Sequence, residues 1–169
     1  MNGCALWTMA IAGTALATVA SAVHVMRRRY LVVTVFGYSM TPTFRHGDRV
    51  LLRRTDRGQY RSGDVVVLQA PEESGWRHPP PQSIDGPWQI KRVAAVAGEA
   101  VPQSVARACG QPVGSPVPAD HLVVIGDGAV SYDSRSWGFL PADRVLGVVL
   151  RRVTKGPRDK PEGDPVEIR

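Results

Sequence analysis

The chain has 169 residues, 43% of them hydrophobic, which is enough for one domain with a core of its own plus an appendage. Its 17 glycines and 14 prolines argue against a helical bundle and for many short strands joined by turns. A net charge of +6 and a pI near 9.9 suit an anionic surface, while only two cysteines, Cys4 and Cys109, exclude a fold that depends on a disulfide framework.

The first element is an apolar run, "CALWTMAIAGTALATVASAVHVM", over residues 4 to 26, followed by Arg27, Arg28 and Arg29. A bilayer core of about 30 Å needs roughly 20 apolar residues in a helix, and this run is long enough. A cleaved signal peptide would carry basic residues ahead of the run, and "MNG" has none. Residues 1–29 are therefore expected to be a single membrane anchor with a basic flank. By the positive-inside rule the arginines would hold the following domain in the cytoplasm.

Strands are expected in "YLVVTVFG" (30–37), "DRVLLRR" (48–54), "GDVVVLQA" (63–70), "WQIKRVAAVAG" (88–98), "HLVVIGDG" (121–128) and "RVLGVVLRRV" (144–153). Short β-branched runs separated by Gly, Pro and Asp describe a mainly β protein, an antiparallel coiled sheet or partial barrel. Residues 71–87 are Pro-rich and polar and are expected to be a surface loop. Residues 99–120 are expected to be an excursion from the sheet. The domain should span 30–154, with a charged, disordered tail over 155–169.

Between the first two strands, "FGYSMTPTFRHGD" places Ser39 at a bend, as a turn residue or as a nucleophile. No Gly-x-Ser-x-Gly or Ser-x-x-Lys pattern surrounds it. No Cys-x-x-Cys or His-Glu-x-x-His exists, so no metal site or cofactor is expected. Arg53, Arg54, Arg57 and Arg61 lack the aromatic interleaving of a nucleic-acid surface, which leaves solvent or a membrane as their partner. A serine hydroxyl needs a base, and lysine, with an ordinary pKa near 10.4, becomes one only when burial disfavours its ammonium. Lys91 in "WQIKRV" is a candidate because strand alternation turns Lys91 and Arg92 to opposite faces.

Three pieces taken together, "GYSMTPTFRHGDRVLL", "IKRVAAVAGE" and "VIGDGAVSYDSRSWGFLP" followed by "RVLGVV", resemble the type I signal peptidase family, membrane-bound serine proteases with a Ser-Lys dyad. The resemblance covers about residues 30 to 150. It implies that Ser39 is the nucleophile and Lys91 the general base, that the Ser131 hydroxyl holds the lysine amine, and that Asp133 and Arg135 form an ion pair at the site floor. Some members add a serine hydroxyl to the oxyanion hole two residues before the nucleophile; Gly37 stands there in this chain. The usual Pro-Gly-Asp after the lysine strand is Ala97-Gly98-Glu99, and the usual Gly-Asp-Asn is Gly126-Asp127-Gly128. Val35, Met40 and Ile90 would line shallow apolar pockets, and the substrate would bind extended along 33–37 and 88–91.

The implied function is membrane-anchored signal-peptide removal from exported precursors with small residues at the cleavage site, on the outer face of the cell membrane, with lipids as further partners and no nucleic acid. That placement opposes the positive-inside reading, unless Arg27 to Arg29 sit among lipid headgroups. Two alternatives are a dedicated maturation protease for one partner precursor and a non-catalytic membrane-anchored binding module. A self-cleaving repressor would need a DNA-binding domain where residues 1–29 hold the apolar run.

Overall fold

The structure is a computed structural model that describes residues 18–55, 58–72, 75, 76 and 88–156. One seven-stranded antiparallel sheet organises it, formed by β1 (Tyr30–Thr34), β2 (Arg49–Arg54), β3 (Val65–Gln69), β4 (Trp88–Val96), β5 (His121–Ile125), β6 (Leu140–Pro141) and β7 (Val145–Thr154). The strand order is β1-β2-β7-β3-β4-β5-β6. All six expected strands are present. β6 was not anticipated, since two residues are too few to show any alternation.

The central strand β3 is buried at every position, and its two faces feed two cores. Val66 and Leu68 pack with Val93, Leu122, Val124 and Leu140. Val65 packs on the other side with Val35, Met40, Phe44, Val50 and Ile90. Register shifts in the β2–β7, β3–β7 and β4–β5 ladders mark irregularities at which a sheet bends.

The excursion over 99–120 carries the short helix Ala106–Cys109 and a third cluster built from Val101, Val105, Val117 and the β5 residue Val123. At its start the Glu99 carboxylate accepts from the Val96 N–H at 2.9 Å, closing a turn where the family pattern has aspartate. Part of the expected polar loop over 71–87 is less exposed than its composition suggests. Glu72 and Gly75 bridge, and Trp76 packs edge-on against Trp137 at 5.7 Å beneath the Arg144 guanidinium. The rest of that loop lies outside the described residues.

At the N-terminus, residues 18–29 are helical and exposed throughout. Among the described residues no helix is long and apolar enough to cross a membrane, and residues 1–17 of the expected anchor lie outside them. At the other end, Gly156, assigned by composition to a loose tail, donates its N–H to Asp48 at 2.8 Å. Residues 157–169 lie outside the described residues.

Candidate active site

β1 is an edge strand of the sheet. In β4, Trp88 to Lys91 pair with β3, whereas the ladder to β5 begins only at Arg92. The sheet thus leaves two strand edges, whose residues 33–34 and 88–91 line one open cavity of about 490 Å³. Ser39, Lys91 and Ser131 all line it. Three residues far apart in sequence meet there because the turn after β1, the exposed edge of β4 and the loop after β5 converge.

The turn after β1 is held by its own backbone. Thr41 N–H donates to Tyr38 O at 3.0 Å and Phe44 N–H to Met40 O at 2.8 Å. Gly37 has φ +85°, a left-handed conformation that L side chains rarely adopt, so the bend itself favours glycine there. The Gly37 N–H donates to His46 Nδ1 at 3.3 Å, and His46 packs against the rings of Phe36 and Tyr38.

The loop after β5 grips that turn from below. Gly128 N–H donates to Ser39 O at 2.9 Å. A Cβ at Gly128 would stand 2.5 Å from Tyr38 O, so this close approach excludes a side chain where the family pattern has asparagine. A Cβ at Gly126 would likewise strike the Ser131 hydroxyl and the Ser39 carbonyl.

Lys91 is 2% exposed. Its cross-strand partner is the buried Val66, and it shares its face of β4 with the buried Val93, so apolar side chains flank it along and across the strand. Burial pushes its pKa below the ordinary lysine value; the nearby Asp133 carboxylate opposes this and Arg135 assists it. The Asp133 charge is largely spoken for. Burial alone would raise its pKa, but Arg135 donates through Nε at 2.9 Å and through a terminal nitrogen at 2.7 Å, and the Gly126 N–H donates at 2.8 Å. These contacts, with the Ser131 hydroxyl nearby, bring Asp133 down to about 2. A carboxylate so occupied does less to hold a proton on Lys91.

Of the three residues expected to form substrate pockets, Val35 and Ile90 line the cavity. Met40 does not. At 1% exposed it is folded inward with Phe44, Val50 and Val65, because the turn carries residue 40 to the core side and leaves Ser39 on the cavity side.

One network escaped the sequence reading. Arg92, beside Lys91 but on the opposite face, donates to both Asp127 oxygens at 2.9 and 2.6 Å and to Gly63 O at 2.9 Å. Thr43 donates to the same Asp127 carboxylate at 2.5 Å. The pairing holds Asp127 below the usual carboxylate range and raises Arg92. Since Thr43 follows the serine turn and Asp127 lies between Gly126 and Gly128, Arg92 ties three segments around the cavity. Strand alternation gave its direction; nothing in the sequence named its partner.

Comparison with known proteins agrees with this geometry. The family described as "Signal peptidase, peptidase S26" matches residues 6–109 and 102–154. The chain is 32% identical over 133 residues to "Signal peptidase I" of Leptolyngbya laminosa, an alignment covering 68% of this chain and 64% of that protein. It is 31% identical over 134 residues to "Probable signal peptidase I-1" of Synechocystis sp., covering 68% and 66%. The chain thus spans just under two thirds of the length of these relatives. It belongs to the signal peptidase, peptidase S26, family.

Proposed function

We propose that this protein is a membrane-anchored serine endopeptidase that removes signal or leader peptides from exported precursors, with Ser39 as nucleophile and Lys91 as general base. The observation that carries this reading is a serine and a buried lysine of depressed pKa lining one cavity between two open strand edges, in a chain of the peptidase S26 family.

An extended precursor segment pairs with the edges of β1 and β4, presenting its scissile carbonyl to Ser39. Val35 and Ile90 receive its small side chains. Neutral Lys91 takes the proton from the Ser39 hydroxyl as the oxygen attacks. The resulting lysinium gives that proton to the leaving amine, and the acyl-enzyme forms. Neutral Lys91 then activates a water for deacylation, which regenerates the serine. Backbone donors at the turn, the Ser39 N–H among them, stabilise the oxyanion. Ser131 keeps the lysine amine in line, and Asp133 with Arg135 fixes the loop that carries Ser131. The apolar run over residues 4–26 anchors the domain with its site on the outer face of the membrane, among arriving precursors.

Cleavage of a precursor carrying an Ala-x-Ala site, by the full chain in detergent or lipid, tests this. Wild type is expected to cut at the site, and Ser39→Ala and Lys91→Ala to be inactive. Cutting that survives Ser39→Ala would remove Ser39 as nucleophile. A wild type inert on several precursors but active on one would indicate a dedicated maturation protease. Digestion of the domain by added protease in intact cells is expected from the outer-face placement, and its protection would contradict it.

A further inference from the structure

A second cavity, of about 670 Å³, lies beside the first. Arg28 and Arg29 reach it from the end of the leading helix and Arg53 and Arg54 from β2, with Asp143 as its one carboxylate. Trp88 lines both cavities, so the basic one borders the mouth of the substrate groove.

Four guanidinium groups around one opening repel one another, and a single carboxylate does not offset them. Among the described residues Arg28, Arg29 and Arg54 make no ion pair, and Arg53 has only a 3.4 Å contact to the neutral Gln59 amide. Asp143 is itself 3.4 Å from Arg144. Such a site is completed by an anion, and planar guanidinium forks match the oxygens of a phosphate. Two observations select a lipid phosphate over a free one. The cavity sits where the helix over 18–29 meets β1, and the last turns of that helix expose Val25 and Met26 beside the arginines. An apolar flank next to a basic cleft suits a headgroup whose acyl chains continue alongside.

We propose that this cavity binds the phosphate of an anionic phospholipid headgroup and so holds the mouth of the substrate groove at the bilayer surface. The orientation towards the bilayer rests on the membrane-anchored reading above; binding of the headgroup itself does not require the protease reading.

The test uses the full chain in neutral detergent with dihexanoyl phosphatidylglycerol as the probe, read by the shift in thermal unfolding midpoint. Dihexanoyl phosphatidylcholine and inorganic phosphate are run in parallel, and precursor cleavage is measured in the same preparations. The expected result is a midpoint that rises with phosphatidylglycerol at concentrations where the other two do little, an effect weakened by salt. Arg53→Gln/Arg54→Gln and, on a separate element, Arg28→Gln/Arg29→Gln are each expected to raise the concentration needed by roughly tenfold or more, at about fivefold per arginine. Both variants are expected to keep cutting a soluble precursor in detergent. An equal response to phosphatidylcholine would overturn the anionic site. An equal response to inorganic phosphate would make it a free-phosphate site. Binding unchanged in both double variants would place the lipid elsewhere. Loss of cleavage in wild type, with lipid binding intact, would count against the protease reading alone.

Discussion

Lys91 and Arg92 are neighbours in one strand, and the sheet treats them in opposite ways. Lys91 faces Val66 and Val93 and is buried, and its pKa is driven down. Arg92 faces the loop after β5, chelates Asp127, and its pKa is driven up. A cation in an apolar pocket with a preoccupied carboxylate is suited to the proposed role of base; a cation given a carboxylate of its own becomes a fastener. The difference teaches that this site is built by deciding which positive charge receives a partner.

Removing either side breaks the comparison differently. Ser39→Ala or Lys91→Met is expected to lower kcat/KM for precursor cleavage by about 10⁴-fold or more, the double variant being little worse than either single one, as for residues acting as a unit. Lys91→Met should also raise the thermal midpoint. The folded-state pKa of Lys91 lies below its unfolded value, so at neutral pH the unfolded chain binds more protons there, and the native state bears a cost that the substitution relieves.

Gly128→Ala drives a methyl group into the Tyr38 carbonyl and displaces Ser39. It is expected to reduce kcat by about 10²-fold with far less effect on unfolding, compared by steady-state kinetics and denaturant titration. For Asp133, fully buried and lowered to about 2 from an unfolded 3.8, the native state gains about 2 kcal/mol above the unfolded value. That gain disappears as pH falls from near 4 to 2, and denaturant melts of wild type and Asp133→Asn should converge across that window. Arg92→Gln sharpens the contrast with Lys91. It is expected to cost about 1 kcal/mol of stability and up to tenfold in kcat by loosening the 126–128 loop, while leaving the acidic limb of the pH–rate profile in place.

Much of this was legible in the sequence because the relevant signals are local. Short β-branched runs between Gly-Asp turns announced six of the seven strands, and alternation placed Lys91 and Arg92 on opposite faces. The position of Ser39 at a bend was visible too. What the sequence could not supply was contact across distance. Met40 reads as a pocket residue beside Ser39, but the turn sends it into the core. Asp127 reads as part of a glycine loop, and only the fold brings it to Arg92, 35 residues away in sequence. Trp76, within a polar proline-rich stretch, was hidden by the composition of its neighbours until Trp137 and Arg144 came to lie against it.

The central claim is that Lys91 is uncharged when Ser39 attacks. The chain has three lysines, Lys91, Lys155 and Lys160, so reductive methylation with ¹³C-formaldehyde gives a spectrum simple enough to follow each amine through a pH titration. In the Ser39→Ala protein, one resonance, absent from Lys91→Met, is expected to titrate below the ordinary lysine range. A Lys91 resonance that titrates at the ordinary lysine value would contradict the account.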